Sequence, residues 1–212
     1  MLRITDILDK AQTYLEPEEL EMIQKAYIYS ATVHQGQVRL SGEPYLTHPM
    51  EVAGILVDMK LDAATIISGL LHDTIEDTLT TKEQIEREFG KDTAFLVNGL
   101  TKLSRISFGS QEERQAENFR KMILAMSSDI RILLVRLADR IHNMRTLQYQ
   151  KPERRVYISR ETMDVYAPLA NRLGINWMKM ELEDLAFQYL WPEAYEEIAT
   201  RVAKSQESRN RY

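Results

Sequence analysis

Apolar residues along this chain recur at spacings of three and four positions, which is the period of amphipathic helices. The same period predicts helices over 48–59, 63–77, 115–126, 129–148, 153–171 and 177–190, and on both sides of Gly90. Between Pro17 and His34 one apolar stripe holds Leu20, Ile23, Tyr27, Ala31 and His34. No segment alternates apolar and polar residues as a half-buried strand does, and no glycine-rich phosphate loop occurs. The pattern therefore predicts an all-α protein.

Capping residues and helix breakers give the expected ends of several helices. Asp62 is placed to cap the helix that follows it, and Thr80 to Glu83 has the spacing of a capping box. Bends or ends of later helices are predicted at Gly90, Pro168 and Gly174.

The polar stretches indicate how the chain is organised. Residues 1–195 are predicted to form one domain, and 196–212, which are polar and charged, a tail or the start of a linker. Ser104 to Arg114 lacks helical periodicity and is predicted to be a loop. The basic residues around it are interpreted as solvated surface charge: Lys102, Arg105, Arg120 and Lys121.

Composition narrows the possible functions. The 212 residues, 44% of them hydrophobic, are enough for one globular core. The absence of cysteine excludes disulfides, thiolate catalysis and zinc fingers, so any metal must be held by His, Asp or Glu. A net charge of -5 argues against non-specific binding to nucleic acid. The apolar runs are too short for a membrane span, and residues 1–12 lack a signal-peptide pattern, so a cytoplasmic protein is expected.

Candidate chemistry is concentrated where the apolar helix over 63–77 ends. Adjacent His72 and Asp73 can both lean toward one ion, and Glu76 and Asp77 lie one helical turn further along. Imidazole with carboxylate suits manganese, iron(II) or zinc better than calcium or magnesium. A helix cap is the alternative interpretation, but carboxylates that emerge from a buried segment favour a site.

Two other histidines lie on apolar stripes. His48 begins the predicted helix over 48–59, beneath an apolar stripe. Its position supports a structural role and a role as second metal ligand equally. His34 is better explained as a hydrogen-bonded core histidine that buttresses the site.

A polar line runs along the helix over 129–148, where Asp139, Asn143 and Thr146 follow at offsets of four and three. Asp139 is the natural fourth ligand, and an ion pair with Arg136 or Arg140 is its alternative role.

The segment from Gln35 to Thr47 is rich in turn formers and presents Arg39 at the surface. The guanidinium group of Arg39 can bind phosphate or stack on a base.

Five sequence blocks together resemble the N-terminal hydrolase domain of the RelA/SpoT homologue family, a branch of the HD phosphohydrolases. The resemblance covers nearly the whole chain. The blocks are His34-Gln35-Gly36-Gln37 with Arg39, Ser41-Gly42-Glu43-Pro44-Tyr45 with His48-Pro49, His72-Asp73-Thr74-Ile75-Glu76-Asp77-Thr78, Leu137-Ala138-Asp139-Arg140 with His142-Asn143-Met144-Arg145-Thr146, and Tyr166-Ala167-Pro168-Leu169-Ala170-Asn171-Arg172-Leu173-Gly174.

The resemblance implies an HD-type helical bundle that hydrolyses the 3′-pyrophosphate of ppGpp and pppGpp, giving GDP or GTP and pyrophosphate and controlling the stringent response. It implies that Glu76 and Asp77 assist catalysis. It further implies that manganese is bound by His48, His72, Asp73 and Asp139, and the nucleotide by Arg39, Asn143 and Thr146.

The resemblance also leaves questions of context. Long members of the family carry a synthetase domain next, so the chain is expected to be a fragment of such a protein. Many members place a Lys after the arginine that matches Arg39, where this chain has Leu40. The alternatives are a catalytically silent nucleotide-sensing module and an HD phosphohydrolase for another nucleotide.

Overall fold

The computed structural model describes residues 2–104 and 129–209, with side chains for 2–102 and 129–202. Regular structure in these ranges is helical, apart from an isolated antiparallel bridge between Val38 and Pro44, so the all-α prediction is confirmed. The predicted helix over 115–126 lies outside the described residues, and so does the predicted loop over 104–114 apart from Ser104, which ends a helix. Arg105, Arg120 and Lys121 also lie outside them.

Cα packing divides the chain into two units, Met1–Asn143 and Met144–Tyr212. The prediction of one domain over 1–195 stays a prediction. The helices of the first unit are α1 (Ile4–Ala11), α2 (Pro17–Val33), α3 (Thr47–Asp58), α4 (Ala63–Leu71), α5 (Thr74–Asp77), α6 (Lys82–Ser104) and α7 (Ile130–Arg145), whose last two residues belong to the second unit.

Helix α4 is the centre of the first unit, because it packs against α2, α3 and α6. Its sequence is apolar on almost every side, as expected for a helix surrounded by others, and Ile66, Leu70 and Leu71 are fully buried. Gly69 lets α3 approach closely, since a Cβ there would lie 2.5 Å from Leu56 Cδ1. The carboxyl end of α4 is therefore inside the protein.

The single helix expected over 63–77 is interrupted, so that expectation is wrong. Helix α4 ends at Leu71, and α5 begins at Thr74 after a turn at His72 and Asp73. Side chains occupy the carbonyl groups that a continuing helix would use: Thr74 Oγ1 donates to Leu71 O at 2.7 Å, and His72 Nδ1 lies 2.8 Å from Gly69 O. The turn points His72 and Asp73 into the interior.

Most other helix boundaries follow the capping signals. Asp62 accepts a hydrogen bond from Thr65 N, as predicted for an N-cap. The capping box lies one residue later than predicted, because Thr81 pairs with Gln84, with N to Oε1 at 2.8 Å and Oγ1 to N at 3.3 Å. Gly90, with φ of 87°, breaks α6 as expected. Helix α1 was not predicted.

The second unit continues with the 3-10 turn Leu147–Tyr149, α8 (Pro152–Glu161), a π-helical turn (Thr162–Tyr166), α9 (Ala167–Arg172), α10 (Asn176–Leu190) and α11 (Pro192–Arg209). The π-helical turn ends two residues before Pro168, which lacks a backbone N–H and crowds the preceding turn, so the predicted irregularity is present. Gly174, with φ of 75°, follows α9. Residues 196–209 are helical, and their role as a linker stays a prediction. Among the described residues, no helix combines the length and apolar character needed to cross a bilayer.

Candidate active site

Two imidazoles and two carboxylates from three parts of the first unit converge on one point. His48 is in the first turn of α3, His72 and Asp73 form the turn after α4, and Asp139 is on α7. His48 Nε2 lies 3.1 Å from His72 Nε2 and 3.2 Å from Asp139 Oδ1. Asp73 Oδ2 lies 3.0 Å from His72 Nε2 and 3.8 Å from His48 Nε2. The structure thus brings the four predicted ligands together.

The donor atoms fit one divalent cation. One atom each from His48, His72 and Asp139 lies within 4.8 Å of the others, and Asp73 Oδ2 adjoins both histidines. The two carboxylates supply negative charge, and both histidines are buried. Because His72 Nδ1 lies 2.8 Å from a carbonyl oxygen, which can only accept, the neutral imidazole of His72 keeps its proton on Nδ1 and directs the lone pair of Nε2 at the cluster. This combination of nitrogen and oxygen donors suits a transition-metal ion or zinc.

The same contacts shift the pKa values of the cluster. Burial alone would raise the pKa of Asp139, but the adjacent imidazoles of His48 and His72 hold it well below its usual range. Burial alone would lower the pKa of His72, but the adjacent Asp73 carboxylate raises it to about 9. Burial lowers the pKa of His48. Without a metal ion the carboxylates of Asp73 and Asp139 are therefore anionic at neutral pH, and His72 carries a second proton on Nε2 that a metal ion would displace.

Asp139 is positioned for both of the roles that the sequence left open, namely a metal ligand and the partner of an arginine. Its Oδ1 faces His48 and accepts a hydrogen bond from Asn143 Nδ2 at 2.6 Å, while its Oδ2 lies 3.3 Å from Arg136 Nη1. The ion pair with Arg136 uses a different oxygen from the cluster, so it orients the carboxylate without occupying the inward atom.

Glu76 and Asp77 lie beside the cluster on α5. The hydroxyl of Tyr45 lies 2.6 Å from Asp73 Oδ2 and 2.6 Å from Asp77 Oδ2, so one phenol connects the cluster to the acidic helix. Glu76 Oε1 is 3.9 Å from Arg136 Nη2. A cavity of about 620 Å³ adjoins α5, with Glu76, Asp77, Gln37 and Tyr29 in its lining. Both acids can reach a molecule that occupies the cavity.

Arg39 is joined to the cluster through Asn143. Arg39 Nη2 donates to Asn143 Oδ1 at 3.2 Å, and Asn143 in turn donates to Asp139. A tight hairpin presents Arg39, because its N–H donates to Glu43 O and Gly42 N donates back to Arg39 O, both at 2.9 Å. Two of the three predicted nucleotide contacts are thus adjacent to the predicted metal ligands.

Thr146 belongs to the second unit, where it precedes the 3-10 turn Leu147–Tyr149. Its predicted contact with nucleotide stays a prediction.

Two side chains at the site had no predicted role, namely Tyr45 and His142. Tyr45 stacks on His34, with ring centroids 4.4 Å apart, and His34 Nδ1 lies 2.8 Å from Gln37 Oε1. His34 is therefore a buried, hydrogen-bonded histidine that supports Tyr45, in agreement with its interpretation as a buttress. His142 Nδ1 lies 2.7 Å from His48 Nδ1. His142 is 94 positions from His48, and Tyr45 is 28 positions from Asp73, so no local sequence pattern could reveal these two contacts.

Comparisons with known proteins identify a family and several relatives of this chain. The family model described as HD domain matches residues 26–176. The chain is 57% identical over 202 residues to a GTP pyrophosphokinase of Myxococcus xanthus, covering 94% of this chain and 27% of that protein. It is 50% identical over 198 residues to the bifunctional (p)ppGpp synthase/hydrolase SpoT of Escherichia coli, covering 93% and 28%. The chain thus spans about a quarter of the length of these relatives.

A solved structure shows the same fold. It is that of a metazoan ortholog of SpoT, described as hydrolysing ppGpp, and it matches with a TM-score of 0.56 over 82% of this chain and 96% of that chain. The sequence identity is 24%, so this likeness supports the helical architecture alone.

Proposed function

This chain belongs to the HD domain family, and from that premise we propose that it is a metal-dependent hydrolase that cleaves the 3′-pyrophosphate of ppGpp and pppGpp. The products are GDP or GTP and pyrophosphate. The observation that carries the proposal is the convergence of His48, His72, Asp73 and Asp139 on one point, with Glu76 and Asp77 beside it. The choice of substrate is supported by the likeness to the bifunctional (p)ppGpp synthase/hydrolase SpoT of Escherichia coli.

We propose manganese as the ion, held by His48, His72, Asp73 and Asp139. Two imidazoles and two carboxylates suit it, and the family resemblance points to it among the ions that this donor set accepts. A divalent ion there would lower the pKa of a bound water and shield phosphate charge.

The other side chains then have distinct tasks in phosphorus–oxygen bond cleavage. Because Glu76 and Asp77 both line the cavity, we propose that one of them takes a proton from the attacking water and that the other, in its protonated form, delivers one to the departing 3′ oxygen. Arg39 and Asn143 bind and orient the nucleotide, and Thr146 is proposed to assist them. Arg136 keeps Asp139 aligned and adds positive charge beside Glu76.

The relatives also suggest the context of the reaction. Because they are named for nucleotide synthesis or for both synthesis and hydrolysis, we propose that this chain is the hydrolase part of a longer bifunctional protein that acts in the stringent response.

A substrate panel tests the function. The purified chain with Mn²⁺ is incubated with ppGpp, dGTP, a cyclic dinucleotide and a 3′-phosphorylated nucleotide, and the products are separated by anion exchange. We expect turnover of ppGpp with release of pyrophosphate. Tight binding of ppGpp without turnover would indicate a sensing module, and preferred turnover of another compound would indicate a different HD phosphohydrolase.

Replacing Arg39 should weaken substrate binding more than chemistry. A hydrogen bond to a charged group contributes about 1.5–3 kcal/mol, so Arg39→Ala should raise KM by about 10- to 100-fold while kcat changes little. Steady-state kinetics with ppGpp measure both constants, and Arg87→Ala, which removes an exposed arginine on α6, is the matched control. An unchanged KM with a collapsed kcat would assign Arg39 to the chemical step.

Removing the hydroxyl of Tyr45 should reduce turnover without loss of metal. Tyr45→Phe keeps the ring that stacks on His34 but releases both Asp73 and Asp77. We expect kcat to fall by about 10- to 100-fold, because a hydrogen bond to a charged group is lost. Manganese content and KM should stay near wild type. Tyr157→Phe, at an exposed tyrosine of α8, is the control, and equal turnover of the two variants would contradict the role of Tyr45.

A further inference from the structure

His142 lies directly behind one of the proposed metal ligands. It is on α7, three residues after Asp139, and its ring centroid is 4.9 Å from that of His48. The two Nδ1 atoms are 2.7 Å apart, and the residues are only 6% and 2% exposed. A contact this short between buried ring nitrogens is a hydrogen bond, in which one ring donates and the other accepts.

The direction of this hydrogen bond decides whether His48 can bind a cation. A neutral imidazole has one N–H, so the ring nitrogen that does not donate has a lone pair. If His142 donated, the proton of His48 would lie on Nε2, the atom that is 3.1 Å from His72 Nε2 and 3.2 Å from Asp139 Oδ1. If His48 donates, its Nε2 lone pair faces the cluster instead.

We propose that His142 is a positioning residue, which accepts the Nδ1 proton of His48 and thereby keeps His48 Nε2 available to the divalent ion. This inference rests on the metal centre of the proposed function. The equivalent partner of His72 is the carbonyl of Gly69, which can only accept, so that tautomer is fixed by the backbone. The tautomer of His48 depends instead on the side chain of His142, which can either donate or accept a hydrogen bond. His142 must therefore carry its own proton on Nε2.

Two substitutions at His142 distinguish the loss of the hydrogen-bond acceptor from a change in the volume of the side chain. His142→Leu fills the space but offers no acceptor, whereas His142→Asn places an amide oxygen where Nδ1 stood, one bond from Cγ. Partners of ligating histidines typically contribute about 10- to 100-fold to metal affinity. We therefore expect His142→Leu to weaken Mn²⁺ binding by about that factor, and His142→Asn to retain most of the wild-type affinity.

The affinity is read from the electron paramagnetic resonance signal of free aqueous Mn²⁺ during a titration, without reference to catalysis. Thermal unfolding of the metal-free variants provides the control for folding. Equal affinity of wild type and His142→Leu would overturn the inference while leaving the metal centre intact. Failure of the wild type itself to bind Mn²⁺ would overturn both the metal centre and this inference.

A spectroscopic measurement on the unaltered protein tests the same point without relying on a variant. The chain has only four histidines, so ¹⁵N-histidine labelling gives a spectrum that can be assigned, with diamagnetic Zn²⁺ in place of manganese. We expect the proton of His48 on Nδ1 and that of His142 on Nε2. A proton on Nδ1 of His142 in the metal-bound protein would overturn the inference.

Discussion

His72→Ala is expected to abolish both metal binding and hydrolysis. His72 Nε2 is the donor closest to both His48 and Asp73, and its side chain is buried, so water cannot readily replace it. The two carboxylates would then lie close together with less positive charge to balance them. A metal ion contributes several kcal/mol to such a reaction, and each 1.36 kcal/mol is a factor of ten, so we expect a loss of about 10³ or more in kcat/KM.

Elemental analysis of the purified variant measures the loss of metal directly. His34→Gln is the matched control, because His34 is also a buried histidine of the first unit but supports Tyr45 and is not part of the cluster. The control should retain its manganese. Full occupancy in His72→Ala would show that the assigned ligand set is wrong.

Glu76→Gln and Asp77→Asn are expected to reduce turnover while metal and substrate still bind. Each amide keeps the size of the side chain but removes the charge that accepts a proton. General acid or base assistance is typically worth about 10² to 10⁴ in rate, which is the expected fall in kcat for the residue that carries the role. The metal should remain, because neither acid is one of the four proposed ligands and neither belongs to the group formed by His48, His72 and Asp139.

Turnover at saturating ppGpp, manganese stoichiometry and substrate affinity are measured together for both variants. Glu83→Gln, at an exposed position on α6, is the control for a general effect of losing an acid. Wild-type turnover in both variants would contradict the assignment of acid and base roles to Glu76 and Asp77. Loss of the metal from either variant would instead make that carboxylate a ligand and require Asp139 to be reconsidered.

The helical architecture could be predicted because burial imposes a period that is visible in the sequence. The stripe over Pro17 to His34 corresponds to α2, which ends at Val33. The interruption after Leu71 could not be predicted, because it depends on side-chain hydrogen bonds from His72 and Thr74 that compete with the helix. Local periodicity carries no information about that competition.

Only some residues of the candidate site could be predicted, because a local sequence pattern does not show contacts between distant residues. His72 and Asp73 could be found locally, since polar groups at the end of a buried helix are conspicuous. For His48 and Asp139 the sequence left a structural role and metal ligation open until the family resemblance favoured ligation, and the structure places His48 Nε2 and Asp139 Oδ1 3.2 Å apart. His142 and Tyr45 act through partners far away in sequence, so only the folded chain brings them to the site.

The central claim is manganese-dependent hydrolysis of the 3′-pyrophosphate, and product stoichiometry tests it most directly. The purified chain is incubated with ppGpp and Mn²⁺, and GDP, pyrophosphate and orthophosphate are quantified over time, with a chelated sample in parallel. We expect equal amounts of GDP and pyrophosphate, no orthophosphate, and no reaction after chelation. Release of orthophosphate in place of pyrophosphate, or an undiminished rate without the metal, would contradict the account.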